Sequence, residues 1–251
     1  MTAYLLFTLA APIASFGTVA VGERRPTWDR PSKSQIIGLV AGCLGIERCE
    51  EEKHQALVAA LGFAVRIDDP GQLATDYHTT QVPPARRNRR FATRAEELSV
   101  GNTDLKTILS RREYRTGSCY TVCLWLKASD PVSLDEIKAA IVSPVFAPFA
   151  GRKANALMFP MRPGVVEAGS IDAAFKAFDK TQPQGVTALW NTLKFKAQCQ
   201  GLIFADADGV TDQPIERLEE RRDIPESRSK WRFGLRAEVL LASKATPGES
   251  S

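Results

Sequence analysis

The chain of 251 residues holds only two histidines and five cysteines. No cysteine stands in a C-x-x-C pair, and no set of His, Cys, Asp and Glu has metal-ligand spacing. An odd cysteine count of this kind argues against a disulfide framework and points to a reducing, cytoplasmic compartment. There is no G-x-S-x-G nucleophile elbow. There is no Walker phosphate loop either, because no glycine directly precedes Lys33. No segment is long and apolar enough to span a membrane. The apolar run at 4–17 lacks a basic start and is interrupted by Pro12, so it reads as a buried first strand rather than a signal peptide. No cofactor is expected.

A strong overall charge is missing too, since the net charge is only +4. Its distribution is uneven. Between residues 78 and 115 stand nine basic residues against four acids, and the rest of the chain is close to neutral. Basicity confined to one arm is the electrostatic footprint of a phosphate partner, although a solvated charged loop has the same composition.

Residues 3–10 read as a strand that Pro12 ends, followed by a loop to Pro31. Ser32 and Gln35 form a capping box before a helix carrying Ile36, Ile37, Val40, Cys43 and Leu44 at helical spacing, with Gly45 as its stop. Gly38 and Gly42 each cost that helix about 1 kcal/mol against Ala. They are expected where another backbone packs closely. A second helix covers 50–60 and a strand covers 62–67. Residues 73–80 read as extended, and 119–126 (CYTVCLWL) is the clearest buried strand. Ser133 and Glu136 cap a helix at 133–142. A further strand lies at 165–168, a short helix at 171–178, and strands at 201–205 and 231–241. The order predicts an α+β, ferredoxin-like (RRM-like) domain over 1–150 with a basic thumb hairpin inserted at about 80–115. A smaller β-rich part at 151–245 and a disordered tail at 246–251 complete the expectation.

The candidate site residues are those that suit phosphate or bases. The start of the first helix offers free N–H groups, the positive end of the dipole, and Ser32, Lys33 and Ser34. Arg24, Arg25 and Arg30 stand in the loop before it, after Ser15, Phe16 and Gly17. The simpler alternative is a capped helix with a solvated lysine. Arg86, Arg87, Arg89, Arg90, Arg111 and Arg112 can pair phosphates and stack on bases. Gly151, Arg152 and Lys153 follow Phe146 and Phe149, whose rings offer stacking faces or core packing. For chemistry the chain is poor. His54 reads as a surface residue of the second helix. Tyr77 and His78 with a nearby arginine are the only candidates for metal-independent RNA cleavage.

Several pieces carry a family resemblance: the AxPxxSFG turn ending at Gly17, the RPSKSQIIGLVAGCLGIER helix, DYHT, SCYTVCLWL, PFAGRK, and RRDIPES followed by RFGLRAEV. In this order they resemble the CasD-type subunits of type I-E CRISPR Cascade complexes, within the repeat-associated RNA-binding superfamily. The resemblance is weakest across 82–107 and in the tail. It implies a ferredoxin-like domain with a thumb, bound to the 5′ handle of the CRISPR guide RNA at one end of a ribonucleoprotein. It also implies contacts with the backbone and large subunits, and with target DNA through the assembled complex. Target cleavage and guide processing then belong to other components, so the chain itself is no enzyme. Two positions depart from the pattern. Phe16 stands where relatives often have Trp, and Phe149 where they often have Tyr. The processing enzymes of the type I-C branch use Tyr, Lys and His, and no lysine stands beside His78 here.

Overall fold

The computed structural model describes residues 1–84, 91–99, 101, 104–127, 132–182, 201–210, 213–227 and 230–242. Arg86, Arg87, Arg89 and Arg90 lie outside the described residues, as does the expected tail at 246–251.

The described elements run β1 (Thr2–Ala14), β2 (Arg24–Arg25), α1 (Lys33–Cys43), α2 (Glu51–Ala60), β3 (Leu61–Asp69), β4 (Gln72–Val82), α3 (Arg94–Leu98), β5 (Lys106–Leu126), α4 (Leu134–Val142), β6 (Gly164–Ala168), α5 (Ile171–Thr181), β7 (Ile203–Asp206), β8 (Ile215–Ser227) and β9 (Arg232–Leu241). This is an α+β chain. Its sheet has the order β6-β1-β5-β3-β7-β9-β8, with β2 and β4 also paired to β5. Every junction along that path is antiparallel. The strands near the C-terminus therefore extend the same sheet beyond β3.

Side-chain alternation divides the core between the two faces. Leu5, Phe7, Leu9, Tyr120, Val122 and Leu124 pack under α1, α2 and α4, with Ile36, Ile37, Val40, Leu57, Ile137 and Ile141. Tyr4, Leu6, Cys123 and Trp125 turn to the other face and meet Phe175 and Phe178 of α5. His54, expected at the surface, is buried, with Nε2 3.1 Å from the Glu47 carbonyl oxygen. The α2 turn packs it inward.

Pro12 does not end β1. The Thr8 N–H donates to the Met161 carbonyl, and the Ala10 carbonyl accepts from the Met158 N–H. Even-numbered backbone groups of this strand thus face away from β5. Pro12 shares their parity, so its missing N–H removes no bond to β5.

The ends of α1 follow their residues closely. The Ser32 hydroxyl accepts from the Gln35 N–H, and the Gln35 side chain accepts from the Ser32 N–H. At the other end Gly45 adopts φ +77. Its N–H donates to the Gly42 carbonyl and the Ile46 N–H to that of Ala41, the bond pair of a Schellman end. The expected tight packing at Gly42 is absent, since an added Cβ would meet nothing within 4 Å. The neighbouring chain approaches the helix end instead, where the Val145 and Phe146 N–H groups donate to the Cys43 and Gly42 carbonyls.

Below the first turn of α1 the sheet face is ionic. The Lys33 N–H donates to Asp223 Oδ2 at 2.9 Å, and Lys33 Nζ to Asp206 Oδ2 at 2.7 Å. Arg236 binds Asp206, Asp223 and Glu238 at 2.7–2.9 Å. Arg30 donates to Glu238 Oε2 at 2.5 Å, and the Arg221 Nη2 reaches the Arg30 carbonyl at 3.3 Å. These groups are buried. They come from the loop before α1 and from β7, β8 and β9. The unforeseen β8 belongs here, its buried positions being Arg221, Asp223 and Pro225.

Burial alone would raise the Glu238 carboxyl, but Arg221, Arg30 and Arg236 outweigh it and hold it below the usual range. A carboxyl lowered on folding contributes stability above its unfolded value of about 4.3, and that contribution disappears as pH falls through the folded value. The urea midpoint is therefore expected to fall as the medium is acidified below about pH 4.3, and less steeply in Glu238→Gln. Glu238→Ala leaves buried cations unpaired and is expected to cost about 3–5 kcal/mol at neutral pH. A midpoint unchanged by this substitution would remove the cluster's structural role. Gly151 supplies a second check. It adopts φ +85, and an added Cβ would sit 1.9 Å from the Ser15 carbonyl oxygen. Gly151→Ala is expected to destabilise the chain by more than about 1 kcal/mol in the same unfolding measurement.

Candidate nucleic-acid interface

The outer side of α1 borders two clefts. The larger, of about 800 Å³, is lined by Gly17, Trp28, Ser32, Ser34, Arg222 and Trp231, among others. The second, of about 610 Å³, runs along Ser34, Gly38 and Gly42 to Phe146, Phe149, Gly151 and Lys153. The two share Gly17, Thr18, Ser34, Trp231 and Phe233. A third depression, of about 460 Å³, shares Thr18, Val19 and Trp28 with the first and reaches Arg24 and Glu113. Together they form a track from Lys153 past the mouth of α1 to the root of the β4–β5 hairpin.

Each stretch is fixed by its own local chemistry. The Ser15 N–H donates to the Ala150 carbonyl, and the Phe16 N–H to the Thr27 hydroxyl at 2.8 Å. Gly17 bridges to Thr27. The 150–155 turn is closed by the Asn155 side chain, which donates to the Ala150 carbonyl. Gly151 alone permits the close passage over Ser15. The β8–β9 turn brings in Trp231, held at φ +51.

The structure brings Gly17, Ser32, Ser34, Phe149, Gly151 and Lys153 together along this track. Phe149 is 39% exposed and Lys153 is exposed. The Arg152 guanidinium lies 4.6 Å from the Tyr114 ring centroid on β5. At the hairpin root, β2 lies parallel to β5 with Arg24 opposite Arg111 and Arg25 opposite Arg112. Glu113 accepts from Arg24 Nε at 2.8 Å, and Arg24 keeps 69% of its side chain exposed. The Arg25 Nη1 donates to the carbonyls of Gly22 and Arg24. Like charges set side by side destabilise a ladder unless an anion lies over them.

Other expected contacts are placed elsewhere. Lys33 is 2% and Arg30 3% exposed, with their charges committed to Asp206 and Glu238. Burial pulls the Lys33 ammonium below the usual lysine range, against the attraction of Asp206. The anion at the helix mouth is thus the protein's own Asp223, not a phosphate. Phe16 is buried edge-on against Tyr120, with centroids 5.2 Å apart, so it offers no stacking face. Ser15 is buried as well, its hydroxyl donating to the Glu113 carbonyl at 3.2 Å.

Sequence reading missed Trp231, Phe233 and Arg48 as lining residues. Their one signal is the W-R-F run inside a basic turn, which a core strand has in equal measure. It also leaves out Trp28, which stands among Arg24, Arg25 and Arg30 in the first loop. Tyr77 and His78 are neighbours on β4, so their side chains project to opposite faces and do not converge on one reacting atom. His78 Nε2 lies 2.7 Å from Asp76 Oδ2 instead. No described helix is long and apolar enough to cross a membrane.

Comparison with known proteins bears on the fold and the family. A solved structure titled CRISPR RNA-guided surveillance complex aligns with TM-score 0.61 and 23% identity, over 95% of this chain and 90% of its own. A second, titled Crystal structure of Cas protein, aligns with TM-score 0.53 and 21% identity over 95% of each chain. At these identities the likeness speaks to the fold. The CRISPR system Cascade subunit CasD of Escherichia coli (strain K12) is 31% identical over 208 residues, which cover 81% of this chain and 90% of the relative. The family model described as CRISPR-associated protein (Cas_Cas5) matches residues 4–237. The chain belongs to this Cas5 family of CRISPR-associated proteins.

Proposed function

We propose that the chain is a non-catalytic subunit of a cytoplasmic type I-E CRISPR Cascade complex. In this reading it binds the 5′ handle of the guide RNA, caps one end of the ribonucleoprotein, and contacts the backbone and large subunits. Target DNA is met only through the assembled particle. The Cascade name of the Escherichia coli relative supports the assembly.

The observation that carries the RNA reading is the continuous track of clefts joined to a ladder of arginines. A single strand needs stacking faces and a basic path for its backbone, and both are present in one line. Phe146, Phe149, Trp28 and Trp231 supply exposed rings. Lys153, Arg24, Arg25, Arg111 and Arg112 supply charge. The strand order β6-β1-β5-β3, with helices crossing between its members, supports a ferredoxin-like unit whose fourth strand, β6, lies beyond residue 150. The long β4–β5 pairing, from Gln72 opposite Thr116 to Val82 opposite Lys106, supports a thumb. The strands β7, β9 and β8, which continue the sheet beyond β3, support a β-rich part at 151–245.

Among the described residues, no hydrogen bond joins a nucleophile of the track to an adjacent base. The divergent faces of Tyr77 and His78 leave the endoribonuclease alternative without a converging pair. Incubation of the full chain with repeat RNA in EDTA is expected to leave that RNA intact. A discrete cut lost in His78→Ala would reverse this assignment.

Nucleic acid purified with the chain should be RNA bearing repeat-derived 5′ ends. Its binding should weaken with salt, with a log–log slope of about −0.7 per phosphate neutralised. Replacing Arg111 and Arg112 by Glu is expected to lower that slope and the affinity together. Reversing Arg86, Arg87, Arg89 and Arg90 to Glu should abolish assembly around the guide. A particle that forms normally with all four reversed, and holds its guide RNA, would exclude the thumb's proposed role.

A further inference from the structure

We propose that Trp231, backed by Arg48, is the platform on which one unstacked nucleobase of the bound strand rests, with Trp28 as the second aromatic wall of the same cleft. This assignment rests on the RNA-binding reading above and deepens it.

Four observations converge on Trp231. It lines both main clefts, so a strand following the track passes it. It is 59% exposed, although it is the largest apolar side chain type and Phe233 beside it offers partial cover at 6.2 Å between centroids. The Arg48 guanidinium sits 4.0 Å from its ring centroid, so a cation already orients one aromatic face. Its backbone holds φ +51, a conformation that costs a bulky residue free energy. Such strain persists where the fold uses the position it creates.

Trp28 repeats the pattern at the other side of the larger cleft. Arg221 lies 4.8 Å and Arg30 5.7 Å from its ring. Both arginines are fixed in the ion cluster. Two arginine-backed indoles line one cleft of about 800 Å³ together with Arg222 and Arg232. That volume is within the range of small-ligand sites, roughly 300–1,000 Å³. The lining sets these flat π faces beside the charges of Arg222 and Arg232, with Asp223 and Glu226 among their neighbours. It suits a base held by stacking with little sequence preference, and its sugar-phosphate running along the open side of α1 at Gly42.

The test uses the full chain and a short single-stranded RNA carrying one 5-bromouridine. Irradiation is expected to give an adduct on the peptide containing Trp231 or on that containing Trp28. Trp231→Ala should weaken binding of the same RNA about tenfold, whereas Trp231→Phe, which keeps a ring, should stay within about twofold. If Trp231→Ala fails to fold by thermal melting, Trp231→Leu serves instead, having bulk without a π face. Unchanged affinity in these variants, with adducts only elsewhere, overturns the platform. The Arg111→Glu/Arg112→Glu variant separates the two levels of the argument. If it loses RNA while Trp231→Ala does not, the platform alone is wrong. If neither variant changes binding, the RNA reading of the track fails with it.

Discussion

The carboxylate of Asp223 at the first turn of α1 decides what the rest of the surface can offer. A helix start with Ser, Lys and Ser has unfilled donors and a partial positive charge that call for an anion. Here β8 supplies one from within the chain. Asp206 then takes the lysine, and Arg236 ties both acids to Glu238. The loop before α1 and the three C-terminal strands are joined by ions, whereas the core under α1, α2 and α4 is joined by apolar contact. The helix mouth is consequently a hinge-free corner of the scaffold. What it presents outward is the capped, small-residue side of α1, beside Gly17 and Ser34.

That arrangement explains the division of labour among the basic residues. Arginines inside the cluster hold aromatic rings and strands in place. Arg30 lies 3.5 Å from the Phe204 centroid and Arg236 5.5 Å from that of Phe63. Arginines at the hairpin root keep their charge at the surface, because β2 is a two-residue strand with little backbone to cover them. The cations left at the surface there are those of Arg24, Arg25, Arg111 and Arg112, not the lysine that the motif first suggests. Desolvating Lys33 further would gain nothing, since its partner is already in contact.

The elements with a local cause could be read from the sequence. The capping boxes at Ser32 and Ser133, the stop at Gly45 and the strand at CYTVCLWL each depend on neighbours a few residues apart, and each forms. The failures share the opposite cause. Whether Lys33 faces a phosphate or an aspartate is decided 173 residues away, at Asp206. The β8 strand is invisible in the sequence because IERLEERRDIPES has no apolar period. Its alternation is of charge, and charge alternation marks a buried face only when the opposing charges are known. Pro12 was read as a strand end because its harmlessness depends on which edge of β1 is paired. Phe16 and Phe149 look alike in sequence. One is covered by Tyr120 and the other stays open, which only the tertiary fold decides.

The same reasoning bears on why the track lies where it does. A groove for a flexible strand needs walls that do not collapse onto one another when empty. Apolar walls alone would close, since burying their surface is favourable at about 25 cal/mol per Å². Here the walls stand on supports that cannot slide. Gly151 is wedged against Ser15, Val145 and Phe146 are bonded to the end of α1, and the β8–β9 pair is anchored by Arg221, Asp223, Arg236 and Glu238. The ionic cluster therefore sets the shape of the cleft. Its free energy is spent on keeping β8 and β9 at a fixed distance from α1, and that distance is the width of the cleft in which Trp28 and Trp231 stand open.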